Sequence, residues 1–367
     1  MTGLYVHIPF CDRKCFYCSF AIVVGQTKRS DDYLNCLRME SGLYDRPAIG
    51  SVYIGGGTPS TLTADQVYGL FAGLRADFEI ADAAEITVEV NPEGLTADRL
   101  RAFRENGVNR ISLGIQTLRD DYLKYLGRLH DAAAARTAMT MIRTAGFDNV
   151  SCDLMISFPQ QTDEELLEDQ RGLLDLEPEH VSLYSLTIEA PSRFFAQKVQ
   201  PPPSETQARQ LNLTVEHIQE RGYPRYEVSN FARAGFASRH NIHYWRCGNY
   251  IGLGMGAHSH RDGERYWNVE RFGDYVKRLA AGESPRAGGE RLTREQRLVE
   301  AVLFGLRRTE GVRPAELEER FGCRLDNGRN ERLEAYIKEG LLERSGAFLR
   351  ATPPGMMVLD GIAAGLS

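Results

Sequence analysis

The chain has 367 residues, of which 42% are hydrophobic and 26% charged, and its formal net charge is −6. This length and balance predict one large globular domain with a small appendage, and they exclude a disordered chain. Because no long run of Lys or Arg offsets the acidic balance, we expect no nucleic-acid partner.

The N-terminal stretch offers no export or membrane signal. It reads MTGLYVHIPF, without a basic segment followed by an apolar one, and no apolar run in the chain is long enough to span a bilayer. We therefore expect a cytoplasmic protein, with peripheral membrane contact left open.

Short β-rich runs alternate with longer helical patterns through the first half of the chain, which predicts a parallel sheet. The six predicted strands are Leu4–Ile8, Val52–Ile54, Ile86–Val90, Arg110–Leu113, Val150–Ile156 and Val181–Leu186. Helical spacing recurs at Asp65–Leu74 and Ala132–Ala145, and Thr162 with Glu165 predicts a capped helix. Six strand–helix units fit either an open sheet or a partial barrel, and the pattern alone does not decide between them.

The pattern changes after Pro201–Pro203. Residues 204–222 predict a helix, 226–267 predict a loop-rich segment, and Gly282–Gly289 predicts a linker. Thr293 and Gln296 then predict a capped helix that Gly311 ends, and further helices are expected over Pro314–Phe321 and Arg329–Glu339. We therefore divide the chain into a strand–helix domain over 1–225, a segment over 226–290 that completes it, and a small C-terminal domain over 291–367.

Three cysteines crowd into eight positions directly after the first predicted strand: Cys11, Cys15 and Cys18. Ligands of open α/β folds and barrels bind at the carboxyl ends of the strands, so these thiols should face a ligand site. Three thiolates can hold a [4Fe–4S] cluster that keeps one iron open to a small molecule. Zinc is the alternative, and its fourth ligand would be His7 or a distant residue.

The segment CDRKCFYC is similar to the CxxxCxxC signature of radical S-adenosylmethionine (SAM) proteins, and the lead-in YVHIPFC resembles the HemN/HemW family. The resemblance covers nearly the whole chain. It implies an α/β fold, an incomplete (β/α)6 radical SAM barrel with a small, mainly helical, winged-helix-like C-terminal domain. It also implies that the open iron of the cluster holds SAM and that an electron donor reduces the cluster.

The same resemblance implies which residues contact SAM. The run Gly55–Gly57 follows the second strand and, without Cβ atoms, lets a ligand approach the backbone closely. The residues assigned to SAM are Tyr5, Tyr17, Gly56, Gly57, Thr58, Glu89, Gln116, Arg128 and Asp153. From the residues alone, the glycines could also form an ordinary turn, and Glu89 an ion pair inside the barrel.

Two departures from the family pattern leave a second SAM site open. Ser157 and Phe158 replace the more usual Gly-aliphatic pair before Pro159, and Ser19 follows Cys18 where HemN-type enzymes have an extra Gly-Cys.

Residues 240–245 read HNIHYW and resemble the HNxxYW pattern of the HemW branch, the heme chaperones. The resemblance implies heme contact by His240, Asn241, Tyr244 and Trp245, with His240 as the iron ligand and His243 as its rival. Imidazole is a good axial ligand, and Tyr and Trp offer flat apolar faces to a porphyrin. Alternatively, these residues hold the last loop of the barrel together, with His240 hydrogen-bonded to the backbone.

Two functions follow from the resemblance. The first is a heme chaperone that binds the cluster, SAM and heme, and that delivers heme to heme-accepting proteins. The second is an oxygen-independent coproporphyrinogen III dehydrogenase of porphyrin biosynthesis, so whether the chain is an enzyme stays open. The dehydrogenase is disfavoured by HNIHYW, by Ser19, and by the mere ten residues before Cys11. Radical modification of RNA is a third class, which the acidic balance disfavours.

Overall fold

The computed structural model describes residues 1–325 and 330–366. Its strands are β1 Thr2–Ile8, β2 Phe10–Cys11, β3 Val23–Val24, β4 Ala48–Gly56, β5 Glu79–Val90, β6 Arg110–Gln116, β7 Val150–Ile156, β8 His180–Ser185, β9 Arg225–Glu227, β10 Asn230–Ala232, β11 Tyr250–Leu253, β12 His258–Arg261, β13 Glu264–Asn268, β14 Arg286–Arg291, β15 Leu342–Ser345 and β16 Phe348–Ala351. Its α-helices are α1 Ser30–Ser41, α2 Ala64–Asp77, α3 Ala97–Glu105, α4 Asp120–Leu126, α5 Ala132–Thr144, α6 Asp163–Leu174, α7 Arg193–Ala196, α8 Ser204–Glu220, α9 Arg239–Trp245, α10 Phe272–Ala280, α11 Arg294–Gly305, α12 Pro314–Phe321, α13 Asn330–Lys338, α14 Pro353–Met357 and α15 Leu359–Leu366.

One twelve-stranded sheet carries the fold, in the order β14-β13-β12-β11-β1-β4-β5-β6-β7-β8-β10-β9. The strands β11, β1 and β4 to β8 run parallel, and antiparallel strands extend the sheet at both ends. Within the described residues, the two end strands β14 and β9 do not pair with each other. The six predicted strands and the α/β fold are confirmed, and the sheet forms an incomplete barrel.

The strand β1 shows why the sequence folds in this way. Its outward residues Leu4, Val6 and Ile8 are apolar and fully buried in the core beneath the helices. Its inward residues Tyr5 and His7 are polar, because successive side chains of a strand point to opposite faces. The barrel interior is therefore built as a polar chamber inside an apolar shell.

Two predictions for the middle of the chain are wrong. The segment 226–267 is not mainly loop, because five short strands and α9 lie within or across it. The second half of the expected linker forms β14, which pairs with β13. These strands have three to six residues, and several of those residues are glycines. Their extended conformation therefore depends on pairing with neighbouring strands more than on a local sequence pattern. The division at residues 225 and 290 stays a prediction, although the sheet continues across the first of these boundaries.

The C-terminal part has an apolar core of its own, which includes Leu298, Val302, Leu342 and Leu349. Helices α11 to α13 precede the hairpin of β15 and β16. The capping box of Thr293 and Gln296 is present, but α11 ends at Gly305 instead of near Gly311. A Cβ atom at Gly305 would lie 2.0 Å from Val312 Cγ1, so the close packing of Val312 on the end of α11 requires a glycine there. Arg329, the first residue of the next expected helix, lies outside the described residues, and that helix spans Asn330–Lys338.

Across the described residues, no helix is both long and apolar enough to cross a membrane.

Candidate functional site

A cavity of about 440 Å³ opens at the carboxyl ends of the parallel strands. The three cysteines line it, together with eight of the nine residues assigned to SAM: Tyr17, Gly56, Gly57, Thr58, Glu89, Gln116, Arg128 and Asp153. Tyr5 does not line the cavity; it lies deeper in the barrel, where its hydroxyl bonds His7 Nδ1 at 3.0 Å and its ring stacks on Tyr53.

The cysteine loop contacts Thr58, which follows β4, and Arg128, which follows α4. Cys11 Sγ lies 3.4 Å from Thr58 Oγ1, and the Arg128 guanidinium donates to Cys15 Sγ at 3.6 Å. Burial raises the pKa of the Cys11 thiol to about 11 and also raises the pKa of Cys18. Holding these thiols as thiolates therefore needs cationic partners, which is the chemistry that iron supplies to cluster ligands. The donor set fits a cluster held by three cysteines.

The zinc alternative is not supported by the geometry. His7, its nearest candidate for a fourth ligand, has both ring nitrogens engaged, with the Tyr5 hydroxyl and with Ala21 O at 3.0 Å. Among residues 1–325 and 330–366, no three His, Cys, Asp or Glu side chains gather as ligands of one ion. A cubane cluster has a different requirement, because each thiolate binds its own iron atom.

The glycine run is fixed by close approach of other groups. A Cβ atom at Gly57 would lie 2.6 Å from Pro9 O and 2.7 Å from Phe10 O, in the loop that carries Cys11. Gly56 has a φ of +115°, which favours glycine. A Cβ atom at Gly55 would lie 2.8 Å from the Glu89 carboxylate. The run therefore joins the cysteine loop to β5 and leaves its backbone accessible in the cavity.

Glu89 is half-buried at the end of β5, and neutral groups hold it. The Tyr53 hydroxyl donates to Oε1 at 2.7 Å, and Gly56 N–H donates to Oε2 at 3.1 Å. The expected alternative, an ion pair inside the barrel, is absent from the described contacts of Glu89. Burial raises the pKa of Glu89, so hydroxyl or cationic groups of a ligand would stabilise its ionised form.

Arg128 is the buried cation of the cavity, with a side chain 5% exposed. Its Nη2 donates to Asn91 Oδ1 at 2.7 Å and to Gly114 O at 2.9 Å. Asn91 in turn donates to Thr58 Oγ1 at 3.0 Å. Asn91 has no predicted role in the sequence analysis; its position two residues after Glu89, on the same face of the chain, was the available signal.

Asp153 lies on β7 across the cavity, where it accepts from Ser112 Oγ at 3.2 Å. Burial, with a contribution from the charge of Glu89, raises the pKa of Asp153 to about 7. Glu89 and Asp153 are thus two carboxyls of the cavity wall whose ionised forms favour a cationic or hydroxyl-rich ligand. Tyr184, which sequence reasoning missed, completes this wall from β8.

The HNIHYW segment forms α9, which closes the opposite end of the barrel. Glu85 on β5 accepts hydrogen bonds from the backbone N–H groups of Arg239 and His240 and from Ser238 Oγ, so a carboxylate caps the first turn. His240 points inward and is 1% exposed. Its Nδ1 bonds the Ser51 hydroxyl at 2.8 Å, a side chain and not the backbone that the alternative expected.

The other ring nitrogen of His240 is free of partners. Nε2 is buried and has no hydrogen bond within the described part of the chain. Burial lowers the pKa of His240 to about 3, so the imidazole is neutral near pH 7. Its rival is engaged, because His243 Nε2 bonds Asn249 O at 2.7 Å. When Nδ1 of His240 donates to Ser51, Nε2 carries a lone pair with no protein partner that an axial iron bond can use, whereas His243 donates its Nε2–H to a carbonyl and keeps a lone pair only on Nδ1.

The remaining motif residues face two directions. Tyr244 packs edge-on against the His240 ring, with centroids 4.6 Å apart. Trp245 points to the C-terminal part, where its ring lies 6.2 Å from that of Phe304 and 5.2 Å below the Arg307 guanidinium. Asn241 is half-buried, and its backbone N–H donates to the capping residue Ser238. The structure therefore brings His240 and Tyr244 together but places Trp245 apart from them.

Comparison with known proteins places the chain in a family. Residues 5–171 match the Radical SAM superfamily, and residues 292–358 match the HemN C-terminal domain. The chain is 34% identical to "Heme chaperone HemW" of Bacillus subtilis, over 98% of this chain and 97% of that protein. It is 34% identical to the Lactococcus lactis heme chaperone HemW over 96% and 94% of the two chains. Its identity to the Escherichia coli heme chaperone HemW is 38%, over 70% and 69%.

Among solved structures, the fold is similar to that of coproporphyrinogen III oxidase (HemN) from Escherichia coli. The TM-score is 0.88, and the superposition covers 100% of this chain and 89% of that one. The sequence identity is 23%, so this likeness describes the fold alone.

Proposed function

This chain belongs to the HemW family within the radical SAM superfamily, and we propose that it is a heme chaperone that carries a [4Fe–4S] cluster, SAM and heme. The observation that carries the proposal is the similarity to HemW proteins over nearly the full length of both chains. Its partners are heme, the heme-accepting proteins, and an electron donor for the cluster.

In this proposal Cys11, Cys15 and Cys18 hold the cluster, and the cavity beside them binds SAM. When bound, these groups supply one-electron chemistry at a carbon–sulfur bond. Gly56 and Gly57 give the ligand access to backbone groups, and Thr58 supports Cys11. The full set proposed for SAM remains Tyr5, Tyr17, Gly56, Gly57, Thr58, Glu89, Gln116, Arg128 and Asp153.

The Glu89 carboxylate and the Arg128 guanidinium have different roles in orienting the ligand. Glu89 accepts ligand hydroxyls on oxygens that already face the cavity. Arg128 holds Asn91 and the backbone of β6 in fixed positions while its second nitrogen faces Cys15. A buried guanidinium beside a thiolate also stabilises the negative charge of that thiolate.

His240 is the heme ligand in this proposal, with Asn241, Tyr244 and Trp245 around it. Its neutral imidazole and unpartnered Nε2 suit an axial bond to iron. Because His240 is 1% exposed, α9 and its neighbours must open before Nε2 reaches a heme. Such a gated ligand suits a carrier, which has to release its cargo as well as bind it.

The test is a heme titration of the cluster-loaded protein, followed by the Soret band. Wild type should bind heme, and His240→Ala should lose the band with its iron and sulfide content unchanged. His243→Ala is the matched control, because it removes the neighbouring imidazole, and it should bind heme like wild type.

A parallel assay supplies coproporphyrinogen III, SAM and a reductant, and we expect no decarboxylated product. Robust turnover in that assay would replace the chaperone by the dehydrogenase. Wild-type heme binding in both histidine variants would show that neither imidazole is the ligand.

A further inference from the structure

Tyr53 contacts one residue of each of the two ligand sites. Its hydroxyl donates to Glu89 Oε1 at 2.7 Å, and its ring stacks on that of His240, with centroids 5.3 Å apart and planes inclined by 29°. Tyr53 and Ser51 are two residues apart on β4, so both point into the barrel. Ser51 bonds the same imidazole through Nδ1. One strand therefore holds both the Glu89 carboxylate and the His240 ring in place.

We infer that Tyr53 is a positioning residue that couples the SAM cavity to the heme ligand. The inference rests on the proposed function, in which Glu89 accepts ligand hydroxyls and His240 binds iron. Tyr53 is the contact that joins these two residues directly. The other partners of His240 are Ser51, Tyr244 and Glu85, and among the described residues none of these three lines the cavity.

The physical link is competition for one carboxylate. Glu89 Oε1 accepts the Tyr53 hydroxyl and keeps a lone pair for a second donor, so a ligand hydroxyl that donates to the same oxygen shares its charge and weakens the Tyr53 bond. Tyr53 is then held less firmly by Glu89 in its position over the His240 ring. Without Tyr53 held in this position, the packing around His240 loosens on one of its faces.

The direction of coupling follows from the burial of His240. The imidazole is enclosed by Tyr53 on one face and by the edge of Tyr244, and its Nε2 is inaccessible in this arrangement. Opening this enclosure requires less free energy once the bond between Tyr53 and Glu89 has been weakened. SAM should therefore raise the affinity for heme, and heme should raise the affinity for SAM by the same factor, because coupling between two binding equilibria is reciprocal.

The test measures heme affinity with and without saturating SAM in three cluster-loaded proteins. In wild type we expect SAM to raise heme affinity by at least about fivefold, the lower end of typical coupling. In Tyr53→Phe, which keeps the ring but lacks the hydroxyl, we expect a ratio near one. Tyr223→Phe is the matched control, because it removes a buried hydroxyl that bonds Pro178 O outside the barrel, and it should couple like wild type.

A second measurement follows His240 in the absence of heme. The imidazole NMR signals of His240, assigned by their loss in His240→Gln, should shift when SAM binds to the heme-free protein. The same signals should not respond to SAM in Tyr53→Phe.

The outcomes separate the inference from the proposed function. If wild type binds both heme and SAM but their affinities are independent, or if Tyr53→Phe couples them as wild type does, the inference is wrong and the chaperone proposal stands. If wild type binds no heme, both the inference and the proposed function are wrong. A SAM-induced loss of heme affinity would likewise overturn the inference.

Discussion

Arg128 has one guanidinium that contacts three separate parts of the cavity: the cysteine loop, the end of β5 and the backbone of β6. A planar fork of donors makes these contacts together, and a lysine ammonium cannot reproduce them. Its side chain is also almost fully buried, so each lost bond leaves a buried acceptor without a partner.

We therefore predict that Arg128→Lys lowers SAM affinity by roughly tenfold or more, the equivalent of losing one charge-assisted hydrogen bond. Equilibrium dialysis with the cluster-loaded protein measures this. Arg221→Lys, on the surface beside Asp175, is the control and should leave the affinity unchanged. Unchanged affinity in Arg128→Lys, with full iron content, would remove Arg128 from the proposed site.

Residue roles in the site differ in how far the sequence could predict them. Cys11, Cys15 and Cys18 share one short segment after the first strand, and the structure places all three on one cavity at the carboxyl ends of the strands. Asn91 and Tyr53 could not be assigned in that way. Their roles depend on partners 37 and 36 positions away, Arg128 and Glu89, which no local spacing brings together.

At the scale of elements, prediction succeeded where local rules determine the structure. The capping boxes of Thr162 with Glu165 and of Thr293 with Gln296 are both present, and the six β/α units follow from alternating strands and helices. Prediction failed over 226–291, where short strands such as β12 and β13 exist because they pair with neighbours. A strand of four or five residues has too little pattern of its own to be recognised.

Helix α1 carries a buried acid that joins it to that same region. Glu40 is 2% exposed and accepts hydrogen bonds from Gly254 N–H, Asn268 Nδ2 and the Tyr275 hydroxyl. Burial is the largest influence on this carboxyl and raises its pKa from 4.5 to about 7. Between pH 4.5 and 7 the folded protein keeps a proton on Glu40 that the unfolded chain releases. The stability that Glu40 contributes by binding this proton is therefore fully present below pH 4.5 and is lost as the pH rises through 7.

We predict that Glu40→Gln removes this pH dependence. As the pH rises from 4.5 to 8, wild type should lose up to about 3 kcal/mol of unfolding free energy relative to the variant, since one pKa unit corresponds to about 1.4 kcal/mol. Urea unfolding at several pH values gives the unfolding free energy of each protein. Groups that titrate alike in both proteins cancel when one free energy is subtracted from the other. Parallel curves for the two proteins would mean that the Glu40 pKa is ordinary.

At the scale of the whole molecule, two apolar cores meet at α9. The barrel core and the C-terminal core are separate clusters, and α9 lies between them with ring contacts to Tyr53 on one side and to Phe304 on the other. His240 and Tyr244 face the barrel interior, whereas Trp245 packs against Phe304 and Arg307 of the C-terminal part. Arg320 adds hydrogen bonds to the carbonyls of Arg246 and Cys247, just beyond the end of α9. One short helix therefore carries the proposed heme ligand and also contacts the C-terminal part.

This arrangement predicts that Trp245→Ala uncouples the two cores. The variant loses an aromatic contact and a cation–π contact at the junction, so it should be less stable by about 2 kcal/mol, below the 3–5 kcal/mol typical of a fully buried Trp because Trp245 is only half-buried. Differential scanning calorimetry should show a single unfolding transition in wild type and two resolved transitions in the variant. Trp267→Ala is the matched control, because the other tryptophan of the chain packs on Gly288 and His258 within the sheet. It should lower the melting temperature without separating the transitions, since it weakens the sheet and leaves the junction intact. If both variants unfold in one transition, the two cores are held together by the rest of the interface and not by Trp245.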